Sequence, residues 1–210
     1  MIDNPMFGVL LISAITNFVL SALYKFTTDQ EELKKINEDL KKINEEFKEA
    51  QKNKNQKEIM KLQGRMLEIN NKKMKSSMKT MMISFLIIIP VFLYLLPNLY
   101  GDVTVNLNES LEGVINYQGT EMNVHVEEEP FLISIDGEKK HADDIIQLKG
   151  DEFTVKEFDK DKKLLLLKRV AVNLPFPLPI WGSHIGWLGW YILISIPFTT
   201  LFRKALGVVQ

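Results

Sequence analysis

Between Phe26 and Lys79 the chain is polar and rich in Lys, Glu and Asn. Its apolar residues nevertheless recur at Leu33, Ile36, Leu40, Ile43, Phe47 and Ala50, and again at Ile59, Leu62, Met66 and Ile69. Alternating steps of three and four put each set on one narrow seam of a helix, the two-per-heptad stripe of a coiled coil. Met60 and Leu67 widen the second seam. Between the arms, Gln51 to Gln56 holds no apolar residue and two asparagines, which leave helical geometry readily. The pattern predicts a chain reversal there and an antiparallel coiled-coil hairpin. With arms of roughly 22 residues at about 1.5 Å each, it would be on the order of 30 Å long.

On either side of this polar segment the apolar residues are concentrated. Asn4–Tyr24, Thr80–Gly101 and Val170–Phe202 carry no Asp, Glu, Lys or Arg, and each holds about 20 residues apolar enough to cross a hydrocarbon core of about 30 Å. The first is read as a retained span and not a signal peptide. It begins with Asp3 instead of a basic region, its apolar stretch is long, and no small-x-small cleavage site follows it. The second contains Pro90, which predicts a kink near Leu86–Pro90, and Pro97, which predicts the helix end. Before the third, Leu174–Ile180 alternates with prolines, which exclude helix and favour an extended lead-in, so that span is expected to start near Trp181.

Charge adds direction. Although the 210 residues carry a formal net charge of -1, Lys25–Lys79 holds 15 Lys+Arg against 10 Asp+Glu, whereas Gly101–Arg169 holds 9 against 16. Lys25, Lys72, Lys73, Lys75, Lys79, Arg203 and Lys204 all flank the spans on one side. The positive-inside rule then places the hairpin and the C-terminus in the cytosol, and the N-terminus and the acidic region outside. Tyr94, Tyr100, Trp181, Trp187 and Trp190 gather toward the outer ends, where amphipathic rings favour the interface.

From Asp102 to Arg169 the period becomes two. Val103–Leu107, Met122–Val126, Phe131–Ile135 and Phe153–Phe158 alternate or nearly so, with turn signals at Asp136-Gly137, Lys149-Gly150-Asp151 and Asp159-Lys160-Asp161. A small β-rich outer region, one modest sheet or a sandwich, is expected. The expected architecture is therefore an α-helical membrane protein: a first transmembrane helix (1–27, N-out), a cytosolic coiled-coil hairpin (28–78), a second transmembrane helix (79–100), an extracytosolic β-rich region (101–179), a third transmembrane helix (180–203) and a cytosolic tail (204–210).

Candidate chemistry is sparse. The chain has no cysteine, His125 and His141 lack metal-ligand spacing, the lone Gly64-Arg65 is not a phosphate loop, and Glu127-Glu128-Glu129 reads as a solvated edge. Neither an enzyme, a metal site nor a cofactor is expected. His184 reads as structural, at the outer interface, and the Asn108-Glu109-Ser110 sequon is a common accidental match. In the first span Ser13, Thr16, Asn17 and Ser21 share a face, and an amide in hydrocarbon is costly without a partner. That face is either an interhelical hydrogen-bonding surface or the wall of a polar groove. Ser84, Ser195, Thr199 and Thr200 lie at a comparable depth in the other spans. Met74, Met78, Met81 and Met82 form either ordinary packing or a pliable surface for varied apolar ligands. Lys52, Lys54 and Lys57 crowd the hairpin tip, as a solvated end or as a docking point for a polyanion such as ribosomal RNA.

Together, the N-out span, the cytosolic hairpin, the Met-rich second span, the external insert and the last span from Trp187-Leu188-Gly189-Trp190-Tyr191 through Ser195 to Arg203-Lys204 resemble the archaeal YidC-like proteins. These form the archaeal branch of the YidC/Oxa/Alb insertase superfamily, whose eukaryotic relatives include a core subunit of the endoplasmic-reticulum membrane complex. The resemblance covers the three spans and the hairpin. It implies a cell-membrane insertase or chaperone that passes short-tailed membrane proteins through a polar groove open to cytosol and lipid. Its partners would be nascent membrane proteins, the bilayer, the ribosome and a small membrane partner subunit. Bacterial members carry a positive charge in the groove; here the first span has none, and Lys25 stands at its mouth. The competing readings are a structural coiled-coil tether and a receptor that senses through its outer region. Because the junctional charges all point one way, protease added outside intact cells should trim 101–179 and spare the hairpin; cleavage of the hairpin instead would reverse the orientation.

Overall fold

A computed structural model describes residues 4–141, 144–180 and 182–208, so Trp181, the expected start of the third span, lies outside the described residues, as does Asp3. The chain divides into two compact units. One comprises the residues up to Ser13 with Val91–Ser195; the other comprises Ala14–Pro90 with the residues from Ile196 onward.

The second unit is helical. Helix α1 (Pro5–Thr27), whose first turns belong to the other unit, is followed by α2 (Gln30–Lys52) and α3 (Gln56–Pro90). Asp29 starts α2, its Oδ1 accepting from the Glu31 and Glu32 amides at 3.0 and 2.9 Å, which satisfies two orphan donors at the positive helix end. Helices α2 and α3 lie side by side in opposite directions, since Arg65 faces Glu46 at 3.5 Å and Lys72 faces Glu32 at 3.7 Å. Those exposed pairs contribute little; the seam holds the helices together. Leu33, Ile36, Ile43, Ala50 and Leu62 are buried, and Phe47, Ile59, Met66 and Ile69 pack against the seam.

Met60 and Leu67 do not widen it: they are 68% and 66% exposed, because one residue beyond Ile59 or Met66 turns the side chain about 100° away from the partner helix. At the reversal the left-handed residue is Lys54, with φ 51°. Both asparagines serve as caps instead, Asn53 at the end of α2 and Asn55 before α3, where its Oδ1 accepts from the Glu58 amide at 3.3 Å.

No break separates the hairpin arm from the apolar stretch after it. One helical run spans Gln56–Tyr100, composed of α3, a π-helical turn at Val91–Leu95 and α4 (Leu96–Tyr100). Pro90 has no amide to donate, and the wider turn follows it directly. Pro97, expected to end the helix, lies instead in the first turn of α4, where a missing donor is tolerated. By length and composition α1 and Gln56–Tyr100 are apolar enough to cross a bilayer, and only 11% of the second apolar window is covered by protein. So large an apolar surface calls for a non-aqueous surrounding.

Among the described residues the first unit holds ten strands. One sheet has the order β1 (Val103–Asn106), β8 (Leu164–Arg169), β7 (Asp151–Asp159), β6 (Ile146–Leu148). The other runs β2 (Glu112–Tyr117), β3 (Thr120–Glu128), β4 (Phe131–Ile135), β5 (Glu138–Lys140), and β9 (Val172–Leu178) pairs with β10 (Gly182–Ile185). Val105, Ile115, Val124, Ile133, Phe153, Leu165 and Leu167 from both four-stranded sheets form one core, so the region is a sandwich. Alternation is absent from Leu164–Leu167, the central strand β8, and so from any period-two reading. Where a third span was expected at 180–203, residues 182–185 are strand and helix α5 runs Trp187–Ala205.

Arg169 joins this sandwich to α4. Its guanidinium donates to the Leu99 carbonyl at 2.7 Å, pairs with Asp151 at 2.6 Å and stands 5.7 Å from the Tyr100 ring centroid. Tyr117 donates to the same Asp151 carboxylate, and burial, then that bond, push its hydroxyl up to about 12. A raised value means that the folded state holds the neutral phenol. Its contribution is therefore complete below the ordinary tyrosine value of about 10 and is lost as pH rises from there through about 12. Thermal melts of wild type and Tyr117→Phe should converge over that interval as wild type loses its advantage; melts that stay parallel would remove Tyr117 from the linkage.

Candidate functional site

Helix α1 presents its polar face to α5 in both units. In the first, Ser13 is fully buried and shares a 3.0 Å hydrogen bond with Ser195, while Trp190 Nε1 donates to the Met6 carbonyl at 2.9 Å. In the second, the Thr199 hydroxyl donates to Asn17 Oδ1 at 2.7 Å, and Phe18 meets Phe202 edge-on at 5.6 Å. Partner numbers rise together, so the helices run in the same direction. Thr16 and Ser21 are also buried. The face thus binds a neighbouring helix, and its hydroxyl and amide groups satisfy one another.

Two of the expected site residues are engaged elsewhere. Ser84 donates to the Thr80 carbonyl at 2.8 Å and Thr200 to the Ile196 carbonyl at 3.2 Å. Each hydroxyl is spent on its own helix four residues back. Met74, Met78, Met81 and Met82 are exposed along α3, and Lys52, Lys54 and Lys57 are exposed at the reversal.

Sequence reasoning missed a second polar cluster. Thr80 is buried and bonds both Thr27 and Thr28, at 2.6 and 2.8 Å, where α1 gives way to α2. The threonine pair beside Lys25 was its only trace in the sequence. Arg203, read only as a junctional charge, lies with its guanidinium carbon 4.9 Å from the Tyr24 ring centroid, and its Nε is buried with no partner among the described residues. A guanidinium over an aromatic face is held by the ring quadrupole and keeps its charge. The second unit thus holds the Asn17–Thr199 pair, the cluster of Thr27, Thr28 and Thr80, and the Arg203 guanidinium over Tyr24. Among the described residues no three histidine or carboxylate side chains gather as a metal site.

Residues 2–112 match the family of integral membrane proteins described as EMC3/TMCO1-like. The chain belongs to that family. EMC3/TMCO1-like proteins fall within the Oxa1/YidC/Alb3/TMCO1 insertase superfamily and are thereby related to membrane-protein insertases. The match takes in α1, α2, the whole run to Tyr100 and β1, and it stops at Glu112, before most of the sandwich and all of α5. No match is found to a curated protein or a solved structure. As a member of an integral membrane family, the chain has a physical setting for its uncovered apolar helices, and in that setting Asn17 and Thr199 have only protein groups or admitted water as partners.

In a thermal-melt double-mutant cycle in micelles, Asn17→Leu and Thr199→Val should couple by roughly 0.5–2 kcal/mol, the range of interhelical hydrogen bonds in membrane bundles. Strict additivity would mean that the 2.7 Å contact carries no stabilisation.

Proposed function

We propose that this EMC3/TMCO1-like protein is a multi-pass insertase of the cell membrane, with its N-terminus outside and its C-terminus in the cytosol. It would pass client segments into the bilayer through the polar face that α1 shares with α5. The observation that carries this reading is the second unit's separate polar groups, the Asn17–Thr199 pair, the Thr27, Thr28 and Thr80 cluster and Arg203 over Tyr24, in a family related to insertases. Helix α5 supports a third span: it runs parallel to α1, is about 28 Å long at 1.5 Å per residue, and ends in Arg203 and Lys204. The α2–α3 pair is then a cytosolic coiled coil. Its exposed lysines at the tip offer a docking point for the ribosome, and its contacts with ribosomal RNA would weaken steeply with salt.

The mechanism needs no covalent step. Each polar flank that a client carries across dry hydrocarbon costs several kcal/mol per unsatisfied group. Hydroxyls and an amide that exchange their mutual bonds for the client's, or for water, lower that barrier. Arg203 favours an acidic flank, while Met74, Met78, Met81 and Met82 give the apolar segment a soft surface before release. Burial of the client's own span drives the reaction. Closed Ser13–Ser195 and Asn17–Thr199 bonds favour one other reading, a tether whose helices are simply zipped together.

The two readings separate when Ser13, Asn17 and Ser21 are replaced together by Ala, Leu and Ala. An insertase so altered, folded and reconstituted in liposomes, should lose insertion, most for clients with charged flanks. Normal insertion of every client by the folded triple variant would leave only the tether. In the same assay Lys52→Glu, Lys54→Glu and Lys57→Glu together should reduce ribosome cosedimentation, and unchanged cosedimentation would discard the docking point.

A further inference from the structure

The β9–β10 hairpin has a polar base and an apolar tip. At the base, Lys168 Nζ donates to the His184 carbonyl at 2.6 Å, His184 Nδ1 and Asn173 Oδ1 stand 2.7 Å apart, and Asn173 Nδ2 donates to Glu152 at 2.5 Å. Residues 174–180 read Leu-Pro-Phe-Pro-Leu-Pro-Ile, without a charge or a hydrogen-bonding side chain. Phe176 is 60% and Ile180 82% exposed. Alternating prolines remove the backbone donors that an added strand would need, so the tip is unsuited to pairing with a protein edge. Its exposed surface suits an apolar liquid.

A cavity of about 320 Å³ ties this tip to the first turn of α5. Its lining includes Ile180, Trp187 and Leu188 together with Asp102, Lys156 and Lys168. Lys156 is the extra residue of a β-bulge in β7, between the Val155–Leu167 and Glu157–Leu166 pairs, a device that re-aims a side chain. It holds Asp102 at 2.7 Å. Lys168 therefore has no carboxylate within pairing distance among the described residues, and its one hydrogen bond, to the His184 carbonyl, leaves two of its three N–H donors unspent. Burial, partly offset by Asp102 and reinforced by Lys156, lowers its affinity for its proton.

We propose that this cavity binds the phosphate of an anionic phospholipid in the leaflet where α5 begins, with Lys168 on the phosphate and the acyl chains beside Phe176 and Ile180. The lining combines cations for a headgroup with apolar side chains for a chain, and the tip is joined to the helix through Gly186. The inference rests on α5 crossing the bilayer and is independent of client insertion.

The cysteine-free sequence permits single bimane labels at Ile180→Cys, at Ile192→Cys within α5 and at Glu138→Cys, exposed after the β4–β5 turn. In nanodiscs of phosphatidylcholine holding the full chain, the Ile180 and Ile192 labels should be shielded from aqueous iodide and the Glu138 label should not. Phosphatidylglycerol brominated on its acyl chains should quench Ile180 about tenfold more effectively than brominated phosphatidylcholine, whose choline cation offsets the phosphate charge that Lys168 meets. Lys168→Gln should abolish that preference and Lys168→Arg retain it. Equal quenching by the two lipids, or displacement of brominated phosphatidylglycerol by inorganic phosphate, would overturn the lipid assignment, the latter in favour of a free anion. An Ile180 label as open to iodide as Glu138 while Ile192 stays shielded would sink the proposal alone; an open Ile192 would remove the third span with it. The tip labels give this reading even if Lys168→Gln fails to fold.

Discussion

Helices α1 and α5 are almost wholly apolar, and the few polar side chains they carry meet one another. Ser13 bonds Ser195 and Asn17 bonds Thr199, as Thr80 bonds Thr27 and Thr28. Where water is scarce an unsatisfied amide or hydroxyl costs more than the net worth of a bond in solution, so such groups dictate which helix faces which, and in what register. The parallel alignment of α1 and α5 follows from this requirement more than from their apolar surfaces, which would pack in several registers equally well. For an insertase the same property is useful, because bonds exchangeable for a client's groups are already in place.

A comparable division of labour governs the sandwich. Its inner faces are closed by Ile, Val, Leu and Phe from both sheets, while its connection to α4 depends on one cation. Arg169 serves Leu99, Asp151 and Tyr100 at once. A buried guanidinium is tolerated only when a carboxylate and carbonyls surround it, and that demand specifies the geometry at which the helical run hands over to the strands. At the same end of the sandwich, beside Lys168 and Arg169, the β9–β10 hairpin carries its polar groups at the base and leaves its tip bare, a distribution that suits a boundary between water and lipid.

The family match and the architecture divide the chain differently. The match ends at Glu112, before most of the sandwich and all of α5, although α5 supplies Ser195 and Thr199, the partners of Ser13 and Asn17. A function resting on Asn17–Thr199 therefore combines one helix within the matched segment and one beyond it.

What the sequence determined by itself were the features that depend on local period and composition: the two seams of the hairpin, the uncharged stretches, the charge asymmetry and four strands that alternate or nearly so. Each is written in neighbouring residues, because helical and strand geometry repeat over a few positions. Also legible was the polar face of α1, but not its partner. Whether Ser84 and Thr200 looked outward or bonded their own helices, that Thr80 would gather Thr27 and Thr28, that Arg203 would stack on Tyr24, and that Pro97 would sit inside a helix were decided only by tertiary structure. So were the run of leucines in β8 and the start of α5 at Trp187. In each case the deciding interaction joins residues far apart in the chain or follows from a neighbour's demand for a hydrogen bond, and no periodicity in one segment records what another segment will place against it.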